Sequence, residues 1–384
     1  MYKRIFMIAA YSPPGNSTLF NLGASKKIES MLRVLRRMNK KVVLINTAHN
    51  SEELKNCSVK RQNIADCKVI TITPFSLYNR KIGKLFNLFF AIWLAMRLRK
   101  PRKQFLLWCY NGYAFECLFA LFMPKNQHIV IEMEDMPFSR KRGFIDIKNR
   151  LDSFLLSLVL KRVKLITCVN NIIADNFKYI PAEKVLFPSI IGQQLASQHF
   201  DVAFSRATRT VGYFGGLNTE KGADIVLELL TDLPDGWQVI VTGSGGLAEQ
   251  FFKLANSNPD KLLFGYNVPE NELYQLMEKC DVLVNPHKPI EEMGNGIFPF
   301  KVYEYLYTRR LVLTTRLPKE SDIIESALVF FDGSVESLKQ QLSEADRLFA
   351  EKMLAIDMAA KFISERYTVQ GFSNTIISSL AKLN

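Results

Sequence analysis

Short apolar runs alternate along this chain with longer stretches whose apolar residues return every three or four positions. In the first half the runs lie at residues 4–10, 41–45, 68–72, 105–109, 128–132 and 164–168, with helical patterns at 24–38 and 151–160. Such alternation predicts an open parallel sheet with helices on both faces, that is, a Rossmann-like domain. Periodicity lapses over residues 185–210, which carry Pro188 and a polar stretch, so a linker is expected there. A second series follows at 210–214, 238–242, 262–264, 281–284, 311–314 and 328–331, with a helix over 270–279. At 384 residues the chain is long enough for both. The predicted fold is α/β, with one doubly wound domain over 1–200 and another over 201–365. Sheets of this kind bind ligands beyond the carboxyl ends of their strands, so both domains are expected to face one cleft.

One helical segment departs from the amphipathic norm. Residues 85–96 are apolar nearly all round, broken only by Asn87, and eight Lys or Arg flank them within 80–103. Twelve helical residues span about 18 Å, short of a hydrocarbon core of about 30 Å, so the segment does not cross a membrane. Basic flanks around Phe86, Phe89, Phe90 and Trp93 suit attachment at a membrane interface, and a helix packed against the sheet fits the same pattern. The opening MYKRIFMIAAYSPPGNSTLF carries a short, β-like apolar stretch with no small-residue cleavage site behind it. It is expected to be the first strand, not a signal peptide.

Charge divides unevenly. Residues 1–200 hold 32 Lys and Arg against 12 Asp and Glu, and the remainder holds 18 against 25, so the net +13 belongs to the first half. A basic face attracts nucleic acid or an anionic membrane. No aromatic-plus-basic motif of a nucleic-acid module accompanies it, so an anionic membrane surface is the expected partner and nucleic acid is not. Composition is otherwise that of a globular protein, 48% apolar and 23% charged. The six cysteines form no C-x-x-C pair and no metal spacing with the four histidines, which suits a reducing cytoplasm.

Candidate chemistry concentrates in two segments, VGYFGGLNTEKGADIVLELL at 211–230 and NGIFPFKVYEYLYTRRLVLTT at 295–315. In the first, a strand meets Gly215 and Gly216 and enters a helix near Lys221 and Gly222. A helix start leaves amide N–H groups without partners where an anion is favoured, and Lys221 adds a full charge. The second segment repeats the plan after strand 281–286, with Gly294 and Gly296 in its loop, Pro299 near a helix start, and Lys301 and Glu304 three apart on one face. A cation for phosphate and a carboxylate for sugar hydroxyls therefore project together, as a nucleoside diphosphate site requires.

Taken with the intervening FGYNVPENELYQLMEKCDVLVNP, the two segments resemble the donor half of glycosyltransferase family 4, retaining enzymes of the GT-B fold, and FPFKVYEYL is close to a form seen in bacterial surface-polysaccharide members. The resemblance covers roughly residues 205–330 well. It implies that Lys221 and Gly222 contact the donor diphosphate, that Glu304 holds the ribose, and that the loop at 266–268, beginning with Tyr266, touches the base. It also implies that Gly15 approaches the phosphate and that the helical pattern at 369–383, within 366–384, crosses back to the first domain. Two positions depart from the family. Gly296 stands where the first Glu of a Glu-x7-Glu motif is expected, and Gly216 where many members carry Arg. Asn295, Gly296, Ile297 and Phe298 could offer backbone N–H groups in place of the missing Glu, and Gly243 in VTGSGG belongs either near phosphate or to a simple chain reversal.

Strand 128–132 ends in EMEDMP, which puts Glu132, Glu134 and Asp135 where they could orient an acceptor hydroxyl; an ion pair with Arg140, Lys141 or Arg142, or helix capping, would account for them as well. His287 is expected to be a packed loop histidine. No Asp-x-Asp triad stands at a strand end, so Lys221, Lys301 and helix termini are expected to neutralise the leaving diphosphate with neither metal nor cofactor. The expected function is retaining transfer of a sugar from a nucleoside diphosphate to a saccharide, one plausible acceptor being lipid-linked at the inner face of a bacterial membrane. The alternatives are a nucleotide-sugar epimerase or a catalytically silent, membrane-bound partner of a glycan assembly complex.

Overall fold

The computed structural model describes residues 4–12, 22–38, 40–48, 57–74, 80–99, 105–134, 147–200, 208–288 and 299–382. The chain forms two compact units, one of the residues up to Ile190 together with those from Val369 onward, the other of Ile191–Thr368.

The first unit is built on eight strands: β1 (Arg4–Ala9), β2 (Lys41–Asn46), β3 (Ser58–Ile64), β4 (Cys67–Thr73), β5 (Leu106–Tyr110), β6 (His128–Met133), β7 (Leu165–Cys168) and β8 (Glu183–Leu186). Their order is β3-β4-β2-β1-β5-β6-β7-β8, parallel except where β3 runs against β4. Strands covered on both faces are apolar at nearly every position, and all five residues of β5 (LLWCY) are buried. The Leu22–Arg37 and Val369–Ala381 helices close one face through Met31, Leu35, Phe372 and Ile376. The Arg80–Leu98, Ala114–Phe122 and Ile147–Leu160 helices close the other.

Two strands were not expected from the sequence. β3 (SVKRQNI) is polar and mostly exposed, so it lacks the alternation that marks a half-buried strand. It is held by a two-residue turn, Ala65–Asp66, both with positive φ (50° and 62°), as a tight hairpin requires, and its Lys60 and Arg61 discourage pairing with another chain at the sheet edge. β8 occupies the start of the stretch expected to be a linker, and the unit boundary falls at Ile190, ten residues before the expected one. Four residues are too few to display a period, yet Phe187 just behind β8 is fully buried and stacks on Phe372 at 4.1 Å.

The second unit is one parallel sheet of β9 (Arg209–Phe214), β10 (Trp237–Gly243), β11 (Leu262–Tyr266), β12 (Val282–Asn285), β13 (Leu311–Thr315) and β14 (Leu328–Phe331), in the order β11-β10-β9-β12-β13-β14. Strand order runs outward from β9 in one direction and from β12 in the other. The sheet therefore reverses between these two strands, and the loops behind them leave in opposite directions and open a crevice at their carboxyl ends.

The Phe372 contact gives a test of the returning helix. Truncating a buried Phe costs about 3–5 kcal/mol. Phe372→Ala is therefore expected to lower the urea midpoint of the first unit by a corresponding amount, and a change within error of zero would show that the helix does not stabilise that unit.

Candidate functional site

At the carboxyl end of β9 the chain passes Gly215, whose φ is +148°, and Gly216. Tyr213 is fully buried beneath this turn and donates its hydroxyl to the Gly216 carbonyl at 2.6 Å. Tyr305, on the Lys301–Tyr307 helix, takes the Phe214 N–H and donates to the Phe214 carbonyl, both at 3.0 Å. One phenol thus replaces a ladder partner for the last strand residue and ties the turn to that helix. Gly243, at the end of β10, packs so closely that a Cβ would lie 1.8 Å from the Gly215 carbonyl oxygen. Its part in the described structure is to admit that approach. Gly216 is different: a side chain there would make only ordinary contact, 3.6 Å from Lys221 Cγ, so steric demand does not explain the glycine.

Beyond Gly216 the chain makes a 3-10 turn, Thr219–Lys221, before the helix Ala223–Thr231. Three of the amides near the helix start, where the sequence predicts some left over for an anion, have partners within the turn. The Lys221 and Ala223 N–H groups donate to Asn218 O, and Gly222 N–H donates to Thr219 O. Side chains, not these amides, hold the charge of the site. Gly222 takes φ +74° and lies against the end of β12, where a Cβ would be 1.8 Å from Pro286 O.

That contact brings Lys221 to the next residue of the β12 loop, His287. Lys221 Nζ lies 3.2 Å from His287 Nε2, and His287 Nδ1 lies 3.0 Å from the Lys288 carbonyl. A carbonyl only accepts and an ammonium only donates, so Nδ1 holds the proton and Nε2 the lone pair. Thr315 donates its hydroxyl to the His287 carbonyl. Burial lowers the His287 pKa, the bond to the Lys288 carbonyl offsets part of this, and the charges of Lys221 and Lys301 lower it again, so the net direction is down and favours the neutral ring. Sequence alone made His287 a packing residue; it is buried, and it also orients Lys221.

Lys301 completes the cluster. Its ammonium lies 4.4 Å from the centre of the Tyr213 ring, and it points toward Gly215, near the position a Cβ would occupy. Desolvation, and then the charge of Lys221, push its pKa down to about 7. Among the described residues neither Lys221 nor Lys301 has a carboxylate at ion-pair distance. Two cations held in place without a counter-charge form a receptor for a multiply charged anion. Glu304 lies one turn along the same helix and is half-buried. Burial first, and then Glu304, raise the pKa of the Tyr274 phenol, which donates to Glu270 at 2.5 Å. Tyr266 is exposed at the end of β11 and pairs in register with Gly243, one strand away from the β9 turn.

The carboxylates of the first unit also have a partner that the sequence did not suggest. Lys27, buried on the Leu22–Arg37 helix, lies 3.1 Å from Glu132 and 3.2 Å from Glu134, and Trp108 donates to Glu132 at 3.0 Å. Burial works against the Lys27 charge, but Glu134 and Glu132 outweigh it and hold the pKa above that of an ordinary lysine. A signal was present: Lys27 stands four and seven residues before Met31 and Val34 on the core-facing side of its helix. Glu134 keeps about a quarter of its side chain exposed, whereas Glu132 is fully buried. Gly15, Asp135, Asn295, Gly296, Ile297 and Phe298 lie outside the described residues, as do Arg140, Lys141 and Arg142. No group of three or more His, Cys, Asp or Glu among the described residues could hold a metal ion.

Comparisons with known proteins agree with this architecture. Residues 208–345, which include all six strands of the second unit, match the family model described as Glycosyl transferases group 1. No curated protein sequence matches the chain. Among solved structures, the chain is similar to the sucrose-phosphate synthase of Thermosynechococcus elongatus, with 12% identity, 99% of each chain covered and a TM-score of 0.67. It is similar to Anabaena HepE in complex with UDP and glucose, with 15% identity, 99% of this chain and 100% of that one covered, and a TM-score of 0.62. The UDP-forming trehalose-phosphate synthase of Burkholderia xenovorans in complex with glucose-6-phosphate gives 10% identity, 98% and 100% coverage, and 0.64. The fold is the two-domain GT-B fold.

Two outcomes are expected from the charged clusters. Lys301 has a folded pKa of about 7 against an ordinary 10.5, so between these values the unfolded chain binds more protons and stability rises with pH. The stability difference between Lys301→Met and the wild type, from urea unfolding, should therefore shrink as pH increases over that interval; a difference independent of pH would show that the ammonium is not desolvated. Lys27→Met leaves two carboxylates without their cation and should destabilise the first unit by about 3–5 kcal/mol. Adding Glu132→Gln should recover part of that loss in a double-mutant cycle.

Proposed function

We propose that this glycosyltransferase, whose second unit is a group 1 domain, moves a sugar from a nucleoside diphosphate to a hydroxyl of a saccharide acceptor with retention of anomeric configuration. The observation that carries the proposal is the Lys221–His287–Lys301 cluster at the point where the second sheet reverses direction. A diphosphate is the leaving group of such a reaction, and it gains negative charge as the bond to the sugar breaks. Lys221, oriented by the lone pair of His287, and Lys301 stabilise that charge where it develops, so neither a metal nor a further cofactor is needed. Glu304 accepts the ribose hydroxyls, and Tyr266 meets the base. Gly15, Gly215 and Gly216 let backbone approach the phosphates, while Asn295, Gly296, Ile297 and Phe298 offer N–H groups to phosphate and sugar.

The first unit takes the acceptor, with Glu134, held by Lys27, and Asp135 available to orient its hydroxyl. The acceptor is lipid-linked and belongs to bacterial surface glycan synthesis, with the enzyme peripheral to the inner face of the membrane. The basic first half and the FPFKVYEYL segment support this part of the reading.

The test is thermal stability against millimolar UDP, GDP, CDP and ADP in the presence of a chelator. UDP comes first, because it is bound in the Anabaena neighbour. Ligand at one hundred times its Kd stabilises by about 2.7 kcal/mol, so one nucleotide is expected to give a clear shift that Lys221→Ala and Glu304→Ala each abolish. Since bound phosphate favours charged Lys301, binding should take up a proton and weaken as pH rises above about 7. Calorimetry in buffers of different ionisation enthalpy measures that uptake. No shift with any nucleotide would favour a catalytically silent partner, consistent with Gly296 in place of a carboxylate.

A further inference from the structure

The Arg80–Leu98 helix has two apolar sides, and the fold of its unit uses one. Phe90, Ala91, Leu94 and Ala95 are buried in the core. Leu85, Phe86, Phe89, Trp93 and Met96 remain between 48% and 65% exposed. At 3.6 residues per turn these five fall within about 100° of arc, so they form a single stripe pointing away from the sheet. The one polar residue of this stretch, Asn87, is buried, the reverse of an ordinary surface helix.

A second helix repeats the arrangement. Ile147–Leu160 buries Leu155, Leu156 and Val159 and leaves Leu151 and Phe154 at 39% and 60% exposure. The Ala114–Phe122 helix packs against both helices and ends in Phe122, itself 41% exposed. All three cover the same face of the sheet through one core, so their outward sides belong to one layer.

The sequence in and beside these helices is strongly basic. Residues 80–103 carry eight Lys and Arg with no Asp or Glu, and residues 139–150 carry five against one. Exposed aromatic and aliphatic side chains on helices flanked in sequence by cations, of which Arg97, Arg99 and Arg150 are exposed among the described residues, match a bilayer whose headgroups are anionic, the rings seating at the acyl boundary while the cations meet the lipid charge. Among the described residues no helix is long and apolar enough to cross a membrane, so such a surface lies on the bilayer.

We propose that the outer side of the Arg80–Leu98 and Ile147–Leu160 helices is a docking surface for an anionic lipid bilayer. The purpose of docking, access to a lipid-linked acceptor, rests on the function proposed above; the binding itself does not.

The experiment is flotation of the full chain with vesicles of phosphatidylcholine alone or with about a third phosphatidylglycerol, at low and high salt. Trp93 fluorescence is the second readout, since Trp108 and Trp237 are buried. The wild type is expected to float with the anionic vesicles at low salt, with a blue shift that Trp93→Phe removes. A Phe89→Ser, Trp93→Ser, Phe154→Ser variant should bind at least tenfold more weakly, while its melting temperature and nucleotide-induced shift stay unchanged, because these side chains are exposed. Unaltered binding by that variant, or no binding by the wild type, overturns the proposal. So does equal binding to neutral vesicles at every salt concentration, or self-association of the wild type that the variant loses, which would make a second copy the occupant. Vesicle binding without any nucleotide shift would defeat the function reading and leave this one standing.

Discussion

The second unit depends on one close approach, that of Gly222 to the Pro286 carbonyl, where no side chain fits. It joins the loop that follows β9 to the loop that follows β12, which leave the sheet at the place where strand order reverses. With that contact made, Lys221 and His287 have little choice but to meet. A second approach of the same kind, Gly243 against Gly215, shapes the turn above Tyr213, and the Tyr305 hydroxyl pins the end of β9 to the helix that carries Lys301. Two close backbone approaches and one side-chain hydroxyl thus assemble a charged cluster from segments that are separate in sequence.

The electrostatics of the two units differ in a way that separates support from function. In the first, Lys27 is buried between two carboxylates, and the ion pairs answer the cost of taking its charge out of water. In the second, Lys301 is desolvated beside another cation, and its pKa falls to about 7. A half-buried charge with no carboxylate at ion-pair distance among the described residues costs stability, and an arrangement of that kind persists where a ligand supplies the missing sign. His287 holds one of the two ammonium groups without neutralising it, because a neutral imidazole accepts a hydrogen bond and contributes no charge.

Alternation of strand and helix was legible because both periods are written in consecutive side chains. The parallel core strands, such as β5 and β9, are apolar runs, and the glycine turn behind β9 stands out from them. β3 was not legible, since an edge strand facing water on both sides has no period to show, and β8 is too short to have one. Of the charged cluster, Lys221 and Lys301 were visible from their places beside a glycine turn and at a helix start. The 3-10 turn, which takes up the Lys221, Gly222 and Ala223 amides, was not.

The sequence by itself determined the number of sheets, the strands that compose most of them, the cations available behind β9 and β12, and the basic character of the first half. Only tertiary structure decided which of those groups meet. Lys221 and His287 are 66 residues apart, and Lys27 and Glu134 are 107 apart. Tertiary packing also decided which side of the Arg80–Leu98 helix is covered and which is left bare. Local periodicity depends on neighbours a few residues away and survives in any fold of the same class. Pair contacts depend on strand order and on backbones approaching within van der Waals distance, which no local pattern records.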